Sequence, residues 1–89
     1  MTRTDILRVV RTAVGEVLGV APEAVGETDD LVDTHNVDSL ELMEIGVRVE
    51  RALGVRVEVE RVREMRTPAD VVAYLRTLTP SGTPEEVTG

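Results

Sequence analysis

The chain has 89 residues, of which 42% are apolar and 30% charged, a composition typical of one small globular domain rather than of a disordered chain. A domain of this size buries a single core and has no room for a second lobe or a deep catalytic cleft. Tyr74 is the one aromatic residue, so the chain lacks the platforms on which proteins stack bases or sugars.

The numbers of charged residues, Cys and His exclude further classes of function. Seventeen acidic and ten basic residues, all of the latter Arg, give a net charge of −7, which disfavours binding to nucleic acid and favours basic partner surfaces. The absence of Cys excludes disulfides and thiol catalysis, and the single His35 cannot form a multi-His metal site. Asp5 and Arg8 interrupt the apolar residues at the N-terminus, and no long apolar run follows. We therefore expect no signal peptide, no membrane span and a cytoplasmic protein.

The first predicted element is a helix over residues 3–18. Thr2 and Asp5 have the spacing of a capping box, and Gly19 is a typical residue to end a helix. The apolar residues recur at the spacing of one helical face, which is expected to pack on the core: Ile6, Val10, Ala13, Val14 and Val17.

Residues 20–37 form a long connection with neither helical nor strand periodicity. Pro22, Gly26 and the neighbouring acidic residues predict turns, and connections of this length in compact domains are usually functional. Five apolar residues are expected to anchor the connection on the core: Val20, Val25, Leu31, Val32 and Val37.

A second helix is predicted over residues 39–53. Asp38 is its N-cap, Glu41 completes a capping box and Gly54 ends the helix. Glu44 and Arg48 have the spacing of a favourable i,i+4 ion pair. The predicted core face consists of Leu42, Ile45, Gly46, Val49, Ala52 and Leu53, and a separate apolar stripe outside that face consists of Leu40, Met43 and Val47.

The segment 55–66 is ambiguous. Val55, Val57 and Val59 alternate with charged residues, which is a strand signal, but a lone strand has no partner in an otherwise helical chain. A short helix over residues 58–64 is therefore predicted instead.

The last predicted helix begins with Thr67 as its N-cap and Pro68 at its first position. Residues 79–89 contain two Pro and two Gly and are expected to be a flexible tail, which leaves residues 1–78 as the folded domain. The core face of this helix is expected to contain Val71, Val72, Leu75 and Leu78.

Ser39 is the candidate functional residue. It lies in the first turn of the second predicted helix, where backbone N–H groups lack intrahelical partners and the helix dipole favours negative charge. A phosphoryl group on Ser39 would be stabilised there, and the hydroxyl would project towards another enzyme. By itself, Asp38-Ser39-Leu40 also fits an ordinary helix start.

The order and spacing of several segments resemble the acyl carrier protein family. The matching segments are V-L-G-V (17–20), P-E-A-V (22–25), D-D-L-V (29–32), V-D-S-L-E-L-M-E-I (37–45), A-L-G-V (52–55) and T-P-A-D-V-V-A-Y-L (67–75). With the first helix included, the resemblance extends over residues 4–78. It implies an all-α four-helix bundle with a short third helix and a long loop between helices 1 and 2.

The resemblance implies that Ser39 carries 4′-phosphopantetheine, taken from coenzyme A, and that the thiol of this arm holds acyl groups as thioesters. The chain would then be a monomeric, non-catalytic carrier. A phosphopantetheinyl transferase would modify it. Acyltransferases, ketosynthases or acyl-activating ligases with basic docking surfaces would load and unload it.

The resemblance also implies a docking face at the start of the second helix. Asp38, Glu41 and Glu44 would meet basic partner residues, with rim charge setting the association rate. Apolar contact would come from the stripe of Leu40, Met43 and Val47, although this stripe could equally pack against the connection 20–37.

The chain departs from the family pattern at several positions. Asn36 lies where carriers often have Gly, and Asn tolerates positive φ. His35 is expected to be an exposed loop residue rather than a base, and Asp38, where peptidyl carriers often have His, favours an acyl carrier. The remaining departures are arginines: Arg48 and Arg51 dilute the acidic face, and Arg56, Arg61, Arg63 and Arg66 are expected to form a solvated charged face.

We therefore expect an acyl carrier for fatty-acid or polyketide-type biosynthesis. Arg without Lys and abundant Val, typical of GC-rich bacterial genomes, favour a polyketide pathway. One alternative is a peptidyl or aryl carrier of a nonribosomal peptide synthetase. Another is an unmodified helical adaptor for a basic partner, which would need the apolar stripe but not the Ser39 hydroxyl. A small enzyme is disfavoured because the chain has no Cys, one His and no Gly-rich phosphate loop.

Overall fold

The computed structural model describes residues 2–78, which contain four α-helices and no strand. The helices are α1 (Arg3–Leu18), α2 (Ser39–Leu53), α3 (Val59–Val62) and α4 (Pro68–Arg76), and a 3₁₀ turn, Pro22–Ala24, follows α1. The all-α class and the number of helices are confirmed, and α3 is shorter than the predicted 58–64. The predicted tail, residues 79–89, lies outside the described residues.

Capping boxes fix the N-termini of the three longer helices. In α1 the Thr2 hydroxyl accepts the Asp5 N–H at 3.1 Å, and the Asp5 carboxylate accepts the Thr2 N–H at 3.2 Å. Thr67 and Asp70 form the same reciprocal pair at α4. Such pairs satisfy backbone donors that a helix end leaves without partners. Local sequence therefore sets where these helices begin, as predicted.

The core lies between the inner faces of α1, α2 and α4. α1 contacts both α2 and α4, and α3 packs on α2. Ala52, predicted to face the core, is exposed, and Val17, Leu53 and Leu78 are only partly buried. No helix within residues 2–78 is both long and apolar enough to cross a bilayer. The helical residues of the buried core are Ile6, Val10, Ala13, Val14, Leu42, Ile45, Val49, Val62, Val71, Val72 and Leu75.

The connection between α1 and α2 is part of this core. Val25, Leu31 and Val37 are buried and Val32 is partly buried, as predicted, whereas Val20 is 40% exposed and is no anchor. Val20 directly follows Gly19, whose left-handed backbone turns the chain away from the helix.

The connection also bonds to the start of α4. The Leu31 N–H donates to the Arg66 carbonyl at 2.6 Å, and the Ala69 N–H donates to the Glu27 carbonyl at 2.9 Å. Backbone groups of a long loop thus find partners in another part of the chain, as buried polar groups require. The result is that the segment leading to α2 is held in place.

The alternation of Val with charged residues before α3 does not come from a β-strand. Val57 is buried and Val55 and Val59 pack against the core, while the charged residues between them are exposed. The Glu58 N–H donates to the Tyr74 hydroxyl at 3.0 Å rather than to a neighbouring strand. An extended segment with one face on a helical core therefore reproduces the period of two.

Candidate functional site

The segment before α2 delivers Ser39 to the first position of the helix. The Asn36 N–H donates to the Val32 carbonyl at 3.1 Å, and the N–H of buried Val37 donates to the Leu31 carbonyl at 3.0 Å. Asn36 has φ 58°, a left-handed conformation that Asn adopts more readily than most residues. The prediction that Asn can make this turn is confirmed.

The capping box of α2 leaves two backbone donors available beside Ser39. The Asp38 carboxylate accepts the Glu41 N–H at 2.8 Å, and the Glu41 carboxylate accepts the Asp38 N–H at 3.0 Å. The Ser39 and Leu40 N–H groups have no hydrogen-bond partner among residues 2–78. Together with the positive end of the helix dipole, they can stabilise an anionic group on the Ser39 oxygen.

The Ser39 side chain is exposed, and its hydroxyl makes no hydrogen bond within the described part of the chain. The hydroxyl is thus accessible but not activated by a neighbouring base. Phosphoryl chemistry at this oxygen therefore needs a base from another protein.

His35 does not supply that base. Its Nε2 lies 3.0 Å from Asp29 Oδ2, and its side chain is only 17% exposed. The expectation of an exposed loop residue is wrong, because a turn at residues 31–35 brings the imidazole back onto the connection. The hydrogen bond from His35, followed by that from the Gly26 N–H, lowers the pKa of the Asp29 carboxyl.

The apolar stripe is confirmed as lying outside the core. Leu40 is 74% exposed, and Met43 and Val47 are half-buried but do not belong to the described side chains that pack against the core. The alternative of packing against the connection 20–37 therefore fails for Leu40. An exposed leucine next to Ser39 is available for contact with another protein.

Arg48 joins two helices beside this stripe. Its Nε lies 2.9 Å from Glu44 Oε2, as the i,i+4 spacing predicts, and its Nη1 lies 3.1 Å from Glu16 Oε1 on α1. The hydrogen bonds that Arg48 donates to Glu16, and then to Glu44, raise the pKa of Arg48 above its ordinary value. The pair with Glu16 spans 32 positions, and sequence periodicity gives no signal for it.

The arginines near α3 are exposed, as predicted, but two of them are paired. Arg63 contacts Glu60 at 2.6 Å, and Arg66 contacts Asp30 at 3.0 Å and Asp33 at 3.3 Å. The contacts of Arg66 tie the connection between α3 and α4 to the connection between α1 and α2. Arg61 lies with its guanidinium carbon 5.2 Å from the centre of the Tyr74 ring.

Comparison with known proteins assigns the family. Residues 8–75 match the family model described as a phosphopantetheine attachment site. The chain is also 36% identical over 81 residues to an acyl carrier protein of Rhodococcus erythropolis, covering 91% of this chain and 89% of that protein. The chain belongs to the acyl carrier protein family.

Two further relatives have similar coverage. The carrier is 35% identical over 77 residues to a meromycolate extension acyl carrier protein of Mycolicibacterium smegmatis, covering 86% of this chain and 78% of that protein. It is 37% identical over 71 residues to an acyl carrier protein of Renibacterium salmoninarum, covering 80% and 88% respectively.

The cofactor of the family is 4′-phosphopantetheine, and the prediction of this cofactor is confirmed. When attached, it supplies the thiol that the cysteine-free chain lacks. The start of α2 fits such a group, because it offers an exposed hydroxyl with two available N–H donors for a phosphodiester. Members of this family are non-catalytic carriers.

Proposed function

We propose that the carrier holds acyl intermediates as thioesters on a 4′-phosphopantetheine arm attached to the Ser39 oxygen. The observation that supports this most directly is the exposed Ser39 hydroxyl at the N-terminus of α2, beside two N–H groups without partners. Ser39 is also the only serine between residues 8 and 75, the range that matches the phosphopantetheine attachment family.

Attachment uses the Ser39 hydroxyl as the nucleophile and coenzyme A as the donor. The Ser39 oxygen forms a bond to the phosphorus that bears the pantetheine, and the pyrophosphate bond breaks. Adenosine 3′,5′-bisphosphate leaves, and the hydroxyl proton passes to a base on the phosphopantetheinyl transferase. The chain contributes position and electrostatics, since the Ser39 and Leu40 N–H groups at the start of α2 would be available to stabilise the resulting phosphodiester.

Partner enzymes would dock at the start of α2. Leu40, Met43 and Val47 supply apolar contact beside the arm. Asp38 and Glu41 add negative charge, which speeds encounter with basic partner surfaces. The partners are the transferase and the enzymes that load, extend or release the acyl group.

The pathway we propose is of the fatty-acid type, because the relatives are named as acyl carrier proteins and as carriers for meromycolate extension. The Arg-only, Val-rich composition keeps a polyketide pathway as the second candidate. In either pathway we propose that the carrier is a cytoplasmic monomer that meets its enzymes one at a time.

Intact mass spectrometry tests this function. The unmodified chain is incubated with coenzyme A, magnesium and a broad-specificity phosphopantetheinyl transferase, alongside Ser39→Ala and the matched control Ser81→Ala, which removes the one other serine. We expect one phosphopantetheine on the wild type and on Ser81→Ala and none on Ser39→Ala. Modification of folded Ser39→Ala, or none on the wild type, would contradict the proposal.

A further inference from the structure

Arg48 forms an ion pair with Glu44, one of the carboxylates on the proposed docking face. Its Nε contacts Glu44 on α2 at 2.9 Å while its Nη1 contacts Glu16 on α1 at 3.1 Å. The Arg48 side chain is 38% exposed, against 54% for Glu16 and 49% for Glu44. A single exposed ion pair contributes little to stability. The Arg48 guanidinium, however, is held at both Nε and Nη1 by carboxylates on two different helices.

The carboxylates nearer to Ser39, Asp38 and Glu41, are not paired with any arginine that the structure describes. Asp38 and Glu41 each accept one backbone N–H, and their remaining oxygens make no hydrogen bond or ion pair within residues 2–78. A backbone N–H leaves the charge of a carboxylate in place, whereas an adjacent guanidinium offsets it. The face is therefore more negative at its Ser39 end than at Glu44.

Arg51 adds a positive charge at the opposite end of the face, next to the acidic Glu50 in the sequence. Arg51 lies one turn beyond Arg48, is exposed, and has no ion pair among the described residues. In the described part of the chain, the exposed side of α2 thus carries the unpaired carboxylates Asp38 and Glu41 beside Ser39 and the unpaired Arg51 near the end of the helix.

We propose that Arg48 acts as an intramolecular competitor for the basic side chains of partner enzymes, so that the carrier selects partners whose basic residues meet Asp38 and Glu41 instead of Glu44. Such a partner places acidic or neutral residues towards Arg51. The inference rests on the proposed function, because it concerns docking beside Ser39. It adds a specificity-determining residue that works by withholding a charge rather than by making a contact.

The test measures phosphopantetheine transfer by a broad-specificity transferase at increasing salt, with Arg48→Gln, Glu44→Gln and the double variant. Because Glu44 is freed in Arg48→Gln, this variant should have a kcat/KM about two- to fivefold above that of the wild type at low salt, through a lower KM. Its kcat/KM should also fall more steeply than that of the wild type as salt increases. Glu44→Gln in the same chain should abolish that gain.

Arg51→Gln is the matched control, because it removes the same charge from the same face without freeing a carboxylate. Its gain should be smaller than that of Arg48→Gln. An equal gain in the two variants, no gain in Arg48→Gln, or a gain that survives in the double variant would overturn the inference. An unmodified wild type would instead refute the proposed function.

A second measurement needs no transferase. The Arg48 Nε–H resonance in nitrogen-15 NMR should shift in both Glu16→Gln and Glu44→Gln, while the Arg51 resonance should not. An Arg48 resonance that responds to neither substitution would show that the pairs are absent in solution. Thermal unfolding of each variant ensures that rates are compared between folded chains.

Discussion

Asp29 is the residue that holds the turn before Ser39. Its Oδ2 accepts the Gly26 N–H at 2.8 Å and lies 3.0 Å from His35 Nε2. Two points of the connection, on either side of the buried Leu31, are thereby fixed to one carboxylate. The hydrogen bonds from His35 and then from Gly26 favour the carboxylate form, and they lower the pKa of Asp29.

The lowered pKa predicts how stability depends on pH. A carboxyl group whose pKa is lower in the folded state contributes stability above its unfolded value of 3.8, and this contribution is lost as the pH falls through the folded value. Asp29→Asn should therefore be less stable than the wild type near neutral pH, with a difference that narrows between about pH 5 and pH 2. Urea unfolding at several pH values measures the two curves.

Glu23→Gln controls for the loss of a negative charge. Glu23 is exposed and makes no hydrogen bond or ion pair through its side chain within residues 2–78. This variant should be as stable as the wild type near neutral pH, where Asp29→Asn is not. Parallel curves for Asp29→Asn and the wild type would show that the bonds to Asp29 contribute nothing.

At the scale of single residues, the features that adjacent residues determine could be predicted from the sequence. Asp38, Ser39 and Glu41 lie within four positions, and their cap geometry follows from their spacing. The contacts of His35 with Asp29 and of Arg48 with Glu16 depend on how the chain folds back, and no periodic pattern encodes them.

At the scale of elements, Gly15 is the point where α1 and the following connection meet. It is buried, and a Cβ there would lie 2.5 Å from the Val20 carbonyl oxygen. The Gly15 carbonyl also accepts the N–H groups of Gly19 and Val20. The helix can therefore end in this tight turn only if position 15 has no side chain.

Gly15→Ala should destabilise the carrier by about 1–3 kcal/mol, because the new methyl group meets backbone that cannot move aside. Helix propensity alone predicts the reverse, since Ala is favoured over Gly by about 1 kcal/mol. Chemical denaturation measures the difference.

Gly46→Ala is the comparison for that substitution. Its Cβ would lie 3.1 Å from the Val59 Cγ1, a side-chain atom on the four-residue α3. A small shift of α3 relieves this contact, so the stability should stay within about 1 kcal/mol of the wild type. Gly15→Ala as stable as Gly46→Ala would contradict the tight-turn account.

Helix boundaries could be predicted because residues close together in the sequence form the caps. The helices α1 and α2 begin and end at the predicted residues. The extent of α3 could not be predicted, because Glu58 gives it no side-chain cap and contacts with Gly46 and Tyr74 position it. Tertiary packing, rather than local preference, decides such a short helix.

At the scale of the whole molecule, the long connection contributes buried side chains to the core and is bonded to the start of α4. Leu31 is fully buried, and the Leu31 N–H bonds to the Arg66 carbonyl near α4. The apolar anchors were visible in the sequence, but the backbone bonds between residues 27–31 and 66–69 were not. They join segments about 40 positions apart, a separation that periodicity does not report.

Leu31→Ala should cost about 2–5 kcal/mol of stability, as expected for a cavity in a packed core. Leu40→Ala, at an exposed leucine, should change stability by less than about 0.5 kcal/mol but slow phosphopantetheine transfer. Urea unfolding and transfer rates separate the two effects, and Leu31→Val replaces Leu31→Ala if the latter does not fold. Equal stability of Leu31→Ala and Leu40→Ala would contradict the role of the connection.

The attachment of phosphopantetheine to Ser39 is the central claim, and tandem mass spectrometry of the modified carrier tests it most directly. Fragmentation of the peptide that contains Asp38-Ser39-Leu40 should place the added group on Ser39, with every other serine and threonine unmodified. A group found on another residue, or a fully folded carrier that accepts none, would contradict the account.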